Sequence, residues 1–281
     1  MDMGRYLVEA HLREGRSVAE LAAAHGVHRS WIYKLLARYR AEGEVGLAPR
    51  SRRPRTSPDR PVGRDTARPR GRGKTLRMGF YEQQVLPRFV DVALSGRQFA
   101  KLRQRVASEL EGEVLEVGFG SGRNVPYYPP AVTRVRAVDP ATVGRKLAAK
   151  RVAANDVPVE YVGLDGESLP LDDESVDHVL TTWTLCTIPD VHAALLEIQR
   201  VLRSGGVLHF LEHGQSPHPK VVRWQERLTP LQRKLAGGCH LNRPIDQLVA
   251  DSGLEVTRLD KYYLKGPKAF GYMYEGVATK S

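Results

Sequence analysis

The residues best suited to chemistry begin with a glycine-rich stretch near the middle of the chain. A short apolar run, Val114–Val117, leads directly into Gly118, Gly120 and Gly122, and with Glu116 the stretch reads E-x-G-x-G-x-G. Glycine residues after a strand tolerate positive φ and let a ligand approach the backbone amides closely. Dinucleotide-binding turns read G-x-G-x-x-G. The spacing therefore predicts a ligand-binding turn of a different kind.

Two acidic side chains follow this turn at intervals that suit a nucleoside. The residues VRAVD predict a strand that ends at Asp139, roughly 20 residues beyond the turn, where nucleotide-binding folds hold the ribose with an acid. After the next predicted strand, VEYV, the segment Gly163–Pro170 contains Asp165 and Gly166. We expect both acids to serve the same ligand at the carboxyl ends of their strands.

A histidine and two cysteines are the remaining candidates for chemistry. His213 follows the predicted fifth strand, at the edge where α/β enzymes bind their ligands, so a substrate-facing role and a purely structural one are equal alternatives. Cys186 follows the predicted fourth strand, where packing is a commoner role than chemistry. Cys239 and His240 are adjacent but lack a further pair of ligands, so we predict no metal site.

The elements that must position these residues alternate between strands and helices. VDHVL predicts the fourth strand, VHAALLEIQRVLRSGG predicts a helix that Gly205 ends, and Val207–Leu211 predicts the fifth strand. Residues 215–240 form an insertion with a helix-like pattern. This alternation indicates an α/β fold.

The chain has 281 residues and a formal net charge of +11, which is concentrated in one segment. Residues 50–77 contain 11 Lys/Arg against 2 Asp/Glu, whereas residues 1–49 contain 7 against 6 and residues 78–281 contain 25 against 24. The basic segment has too few apolar side chains to offset the entropy of ordering. We therefore predict a small all-α module over residues 1–48, a disordered basic Pro/Arg-rich linker over 49–78, and one α/β domain over 79–281.

Three short helices are predicted before the linker. The second begins at Ser17, which forms an S-x-x-E capping box with Glu20, and the spacing of small and apolar residues is typical of a helix-turn-helix. The segment resembles the N-terminal helix-turn-helix of integrase-type transposases. This resemblance implies that the third helix turns a set of polar side chains toward DNA: His28, Arg29, Ser30, Tyr33 and Lys34. A remnant that binds nucleic acid weakly through residues 1–77 and a sequence-specific regulator are the alternatives.

The glycine turn and the acids that follow it resemble, in this order, the motifs of class I S-adenosylmethionine-dependent methyltransferases. The resemblance implies a doubly wound, Rossmann-like sheet of seven mostly parallel strands with a final antiparallel strand near Gly271–Ala278. It also implies that Asp139 accepts the ribose hydroxyls of S-adenosyl-L-methionine and that Asp165 reaches the adenine amino group. The implied cofactor-binding residues are Glu116, Gly118, Gly120, Gly122, Asp139, Asp165, Gly166 and Thr182.

A narrower resemblance covers nearly all of residues 79–281. It is to the ubiquinone/menaquinone-biosynthesis methyltransferases and, within that group, to alkyl-thiol S-methyltransferases. The residues that carry it are Tyr127–Pro130, Thr184–Thr187, Glu212-His213 and Gly238–Arg243. It implies a small-molecule acceptor, with an alkyl thiol as its narrowest form and His213 as the base or orienting residue.

Two functions from different classes remain open. The first is a small-molecule methyltransferase, and the second is a DNA-binding regulator or DNA-directed protein whose methyltransferase-like domain senses a ligand. Base-amino methyltransferases carry (D/N/S)-P-P-(Y/F) after the fourth strand to hold a flipped base, whereas this chain reads Thr182-Trp183-Thr184-Leu185 there, which argues against base methylation. The chain contains neither a signal-type apolar core nor a long apolar run, so we expect a cytoplasmic location.

Overall fold

The computed structural model describes residues 3–14, 16–25, 32–33, 35–36, 39 and 85–281. The chain divides into two compact units, Met1–Lys74 and Thr75–Ser281. The linker predicted over residues 49–78 lies outside the described residues. The domain boundaries predicted after residues 48 and 78 stay predictions.

The N-terminal unit contains the predicted capping box. Helix α1 (Met3–Glu14) precedes α2 (Val18–His25). The Ser17 hydroxyl accepts from the amide of Glu20, and the Glu20 carboxylate accepts from the amide of Ser17, both at 3.1 Å. Apolar side chains of this unit form a small core that includes Leu7, Leu21 and Ile32. Of the residues predicted to face DNA, Tyr33 is half-buried beside this core, and the other four lie outside the described residues.

The larger unit is an α/β domain built on one sheet. Its elements are α3 (Leu86–Ala93), α4 (Arg97–Ala107), β1 (Gly112–Val117), β2 (Val132–Val138), α5 (Thr142–Ala153), β3 (Val159–Gly163), β4 (Val176–Thr182), α6 (Val191–Val201), β5 (Leu202–His213), α7 (Pro219–Leu235), α8 (Ile245–Asp251), β6 (Glu255–Tyr263) and β7 (Tyr272–Thr279). The strand order is β3-β2-β1-β4-β5-β7-β6, and β7 is antiparallel to both of its neighbours. This confirms the predicted seven-stranded, mostly parallel sheet and its antiparallel final strand.

Both faces of the sheet are covered by apolar side chains. Successive residues of a strand point to opposite faces, so Leu115 packs in one layer with Leu195 of α6, and Val114 packs in the other with Leu102 of α4. A sheet buried on both faces explains why the parallel strands read as nearly continuous apolar runs. The order of the strands reverses between β1 and β4, and such a reversal opens a crevice at the carboxyl ends of the strands.

The helix predicted before the fifth strand is too long. Helix α6 ends at Val201, and β5 runs from Leu202 to His213 rather than over Val207–Leu211. Leu202 is fully buried and is aligned with Val176 of β4. Burial in the sheet, rather than the glycine pair after it, therefore decides where the helix stops.

Helices α3 and α4 precede β1, and no sequence pattern predicted them. The insertion predicted over residues 215–240 does contain a helix, α7. None of the described helices is long and apolar enough to cross a membrane.

Candidate active site

The glycine turn follows β1 and adopts a backbone that suits glycine. Gly118, Gly120 and Gly122 have φ angles of 80°, 54° and 69°. A Cβ atom on Gly118 would lie 1.9 Å from the hydroxyl oxygen of Thr184, so the turn packs directly against the loop after β4. On its other side, a Cβ atom on Gly144 of α5 would lie 2.6 Å from the carbonyl oxygen of Gly120. The three predicted glycines thus form a tight turn at the crevice between β1 and β4.

Asp139 follows β2 and closes onto this turn. Its carboxylate accepts hydrogen bonds from the backbone amides of Gly120 at 2.8 Å and Ala141 at 2.7 Å. Burial raises the pKa of the carboxyl group, and the two amides oppose that rise. The structure therefore brings Asp139 to the glycine turn, while its contact with a ribose stays a prediction.

Glu116 lies beneath the turn in a buried hydrogen-bond network. Its carboxylate accepts from the side-chain amide of Asn124 at 2.9 Å and from the hydroxyl of Tyr128. The same amide nitrogen of Asn124 donates to the Thr182 hydroxyl at 3.0 Å. Burial raises the pKa of Glu116 to about 7. The structure thus joins the two predicted residues Glu116 and Thr182 through Asn124, which the sequence analysis missed although it ends the glycine-rich stretch.

Arg103 of α4 completes the network, and the sequence analysis missed it as well. Its guanidinium donates to Asn124 at 2.8 Å and to Thr182 at 3.1 Å, and it lies 4.7 Å from the centre of a Trp183 ring. Desolvation lowers the pKa of Arg103 to about 10, so the side chain remains charged at neutral pH. Within the described part of the chain its buried Nε has no hydrogen-bond partner. A strongly basic helix upstream of every motif gave no sign that one of its arginines is buried.

Asp165 and Gly166 lie in the turn after β3. Asp165 is exposed, and its carboxylate accepts from the amide of Glu167 at 2.9 Å. A Cβ atom on Gly166 would lie 3.0 Å from a methyl group of Val117. The turn therefore reaches the end of β1, beside the glycine turn. Adenine recognition by Asp165 stays a prediction.

A second cluster of polar side chains is carried by the loops after β4 and α7 and by the end of β5. The sulfur atoms of Cys186 and Cys239 and a ring nitrogen of His213 all lie within 4.8 Å of one another, and the Cys239 sulfur is 3.1 Å from Nε2 of His213. All three side chains are buried. Hydrogen bonds with Cys186 and His213 lower the pKa of Cys239, whereas burial raises the pKa of Cys186. Sequence spacing pairs Cys239 with His240, but the fold pairs it with these two more distant residues.

Glu212 and Arg243 fix the loop that carries Cys186. The buried Glu212 carboxylate accepts from the backbone amides of Thr184 at 2.9 Å and Cys186 at 3.4 Å, and burial raises its pKa. The buried Arg243 guanidinium donates to the carbonyl oxygen of Leu185. Because Thr184 also touches the glycine turn, this single loop connects the turn with the cysteine–histidine cluster.

Two family models match the chain. A methyltransferase domain matches residues 115–210, which run from β1 to β5, and a helix-turn-helix domain matches residues 7–55. The first match spans the glycine turn, both predicted acids and the loop after β4. The second spans the N-terminal module.

Two relatives agree with these matches. A thiol S-methyltransferase of Rattus norvegicus is 35% identical over 149 residues, which are 52% of this chain and 61% of the rat protein. A phosphatidylethanolamine N-methyltransferase of Cereibacter sphaeroides is 28% identical over 167 residues, which are 55% of this chain and 77% of that protein. The chain thus spans less than two thirds of the rat enzyme.

A SAM-dependent methyltransferase of Thermotoga maritima has the same fold, with a TM-score of 0.51 at 23% identity over 71% of this chain and 100% of that chain. The matched segments, the sheet order and the glycine turn agree with one another. Residues 115–210 form a methyltransferase domain, residues 7–55 match a helix-turn-helix domain, and the larger unit has the fold of a SAM-dependent methyltransferase.

Proposed function

We propose that this protein transfers the methyl group of S-adenosylmethionine to the sulfur of a small, apolar thiol. The observation that carries the proposal is the buried cysteine–histidine cluster, whose Cys186 lies on the same loop that packs against the glycine turn. The likeness to the rat thiol S-methyltransferase supports it. The Cereibacter relative is named for an amine acceptor, so an amine is the acceptor against which a thiol must be tested.

The nucleoside end of the donor binds, in this proposal, at the carboxyl ends of β2 and β3. Asp139 accepts hydrogen bonds from the ribose hydroxyls, and Asp165 accepts one from the adenine amino group. Both residues follow strands at the edge where open α/β sheets bind ligands. A hydrogen bond to a charged group contributes about 1.5–3 kcal/mol, so Asp139 supplies a substantial part of donor affinity.

The methionine end of the donor carries an ammonium and a carboxylate group, and the network beneath the glycine turn offers a partner for each. Glu116 provides the anion, and its pKa near 7 means that a bound ammonium group favours its ionised form. Arg103 provides the cation, with a buried Nε that lacks a partner in the described protein. Gly118 and Gly120 allow the donor to approach the backbone closely. Thr182 holds Arg103 in place through its hydroxyl.

The reaction requires the chain mainly to position two reactants. The acceptor sulfur attacks the methyl carbon in line, the bond between this carbon and the sulfonium sulfur breaks, and its electron pair remains on that sulfur. Positioning supplies most of the rate, since the sulfonium is already activated. The thiol has an ordinary pKa of about 8.5 and loses its proton to water before or during attack. His213 orients the acceptor thiol and does not take its proton, because the Cys239 sulfur already contacts its Nε2.

The test is the release of S-adenosylhomocysteine by the full chain, with an alkyl thiol, an amine, a quinol or duplex DNA as the acceptor. We expect turnover with the thiol and, at limiting donor concentration, a lower rate in Asp139→Asn. Turnover with the amine or quinol but not the thiol would reject the acceptor and keep the donor site. Donor binding without turnover of any acceptor would favour the ligand-sensing regulator.

A second function is proposed for the N-terminal module. Residues 7–55 match a helix-turn-helix domain, and residues 50–77 contain 11 basic against 2 acidic side chains. Each phosphate that a basic side chain neutralises releases counterions, so affinity for a polyanion falls steeply with salt. We propose weak binding of residues 1–77 to duplex DNA without sequence preference.

A further inference from the structure

We propose that Cys186, His213 and Cys239 form a binding site for one soft divalent metal ion, with zinc as the ion that fits best. Their ligand atoms lie within 4.8 Å of one another, and no other group of three such side chains occurs in the described part of the chain. Thiolates and imidazole are ligands that zinc accepts, whereas magnesium and calcium prefer oxygen. Catalytic zinc is known to be held by two sulfurs and one nitrogen, with a fourth position open to another ligand.

The observed distances require only small adjustments within the cluster. Zinc lies about 2.3 Å from sulfur and about 2.0–2.1 Å from an imidazole nitrogen, which in a tetrahedron places the ligand atoms roughly 3.5–3.8 Å apart. The Cys239–His213 distance is 3.1 Å, and no distance in the cluster exceeds 4.8 Å. Movements of about 1 Å therefore suffice. A disulfide between the two cysteines needs sulfurs about 2.05 Å apart and leaves the imidazole without a role.

The segments that carry the ligands are tied to one another without an ion. The amide of His240 donates to the carbonyl oxygen of Cys186 at 2.8 Å, which joins the two cysteine-bearing loops. Gly238 has a φ of 89°, and a Cβ atom there would lie 2.9 Å from the carbonyl oxygen of Thr187. Glycine thus allows these loops to approach closely. Such outer contacts orient metal ligands and reduce the cost of ordering them.

The charges around the cluster balance a divalent ion. Two cysteine thiolates neutralise a 2+ charge, and the buried Glu212 and Arg243, which both bond to the backbone of the Cys186 loop, carry opposite charges. A buried charge without a partner is costly. The ion and the two thiolates are therefore accommodated together as a neutral group.

The role of the ion in the reaction rests on the proposed function. The acceptor thiol gives its proton to water, and its sulfur takes the fourth coordination position as a thiolate. The same sulfur then attacks the methyl carbon, while the electron pair of the broken carbon–sulfur bond stays on the donor sulfur. The ion keeps its charge throughout. The loop after β4 touches the glycine turn through Thr184, which places both reactants at one edge of the sheet.

The first test measures zinc in the full chain without turnover. We expect one equivalent in wild-type protein after zinc loading and dialysis. Cys186→Ser, Cys239→Ser and His213→Gln should lose it, whereas His192→Gln, an exposed histidine of α6, should retain it. Protein without zinc above background, or full zinc content in both serine variants, would overturn the site.

A second measurement uses wild-type protein alone, so a variant that fails to fold does not decide the outcome. The chain has two cysteines in all, and a mercurial reagent that modifies both should release the zinc in step with the thiols. Zinc that remains bound after both thiols have reacted would reject the cysteine ligands.

The acceptor role is tested with cobalt(II) in place of zinc. Addition of an alkyl thiol without donor should change the cobalt–thiolate absorption, and the matching alcohol should leave it unchanged. An unchanged spectrum with the thiol would reject acceptor ligation but keep the ion site. Methylation of a thiol at full rate by zinc-free protein would reject the ion and keep the proposed function.

Discussion

Replacing Asp139 with asparagine separates donor binding from folding. The carboxylate accepts the backbone amides of Gly120 and Ala141 and, in the proposed function, the ribose hydroxyls. Asparagine keeps the size of the side chain and one of its oxygens, but it loses the charge and one of the two hydrogen bonds from backbone amides. Relief of a buried charge offsets part of that loss, so we expect the free energy of unfolding to fall by about 1 kcal/mol or less. The lost charged bond to the ribose costs roughly 1.5–3 kcal/mol, or about tenfold to a hundredfold in donor affinity.

The assay is calorimetric titration of the full chain with S-adenosylmethionine, together with thermal unfolding of each variant. Asp172→Asn is the matched control, because Asp172 is exposed before β4 and should leave both measurements unchanged. Wild-type donor affinity in Asp139→Asn, with intact folding, would refute the ribose contact. An equal loss in the control would show that the effect does not arise at the donor site.

Three further predictions test the network and the N-terminal module. Burial raises the pKa of Glu116 from 4.5 to about 7. The stability that the protonated carboxyl group contributes is therefore present below pH 4.5 and lost as the pH rises through 7. That pKa difference corresponds to about 3 kcal/mol. Glu116→Gln should therefore raise the free energy of unfolding relative to wild type more at pH 8 than at pH 5. Denaturant titrations check this, and an equal effect at both pH values would contradict it. Arg103→Met should weaken donor affinity by about tenfold or more, unlike the exposed Arg97→Met, and equal affinities by calorimetry would remove Arg103 from the donor site. The full chain should bind duplex DNA with strong salt dependence, while a chain that starts at Met78 should not bind it. Filter binding measures this, and tight binding to one sequence at physiological salt would instead favour a sequence-specific regulator.

The donor half of the site could be predicted from sequence because its signals are local. A strand, a glycine spacing and an acid after the next strand lie within some 25 residues of one another, and the structure joins Asp139 to the glycine turn as expected. The supporting network could not be predicted in this way. Arg103 is one of several basic residues on its helix, and its burial depends on how α4 packs against the sheet.

The cysteine–histidine cluster shows the same limit more sharply. Cys186, His213 and Cys239 are separated by more than 25 residues each and follow no ligand spacing. They meet because β4 and β5 are parallel neighbours, which puts their carboxyl ends side by side, and because the loop after α7 returns to the same edge. Likewise β5 begins five residues before its predicted start, since burial against β4 overrides the local helical pattern.

Methyl transfer to sulfur is tested most directly by competition among acceptors in one reaction. The full chain receives a methyl-deuterated donor and an alkyl thiol, amine and alcohol that share one carbon skeleton, and mass spectrometry follows the label. We predict that the label accumulates in the thioether and that Asp139→Asn suppresses it. Label in the amine or the alcohol, with none in the thioether, would contradict the proposed function.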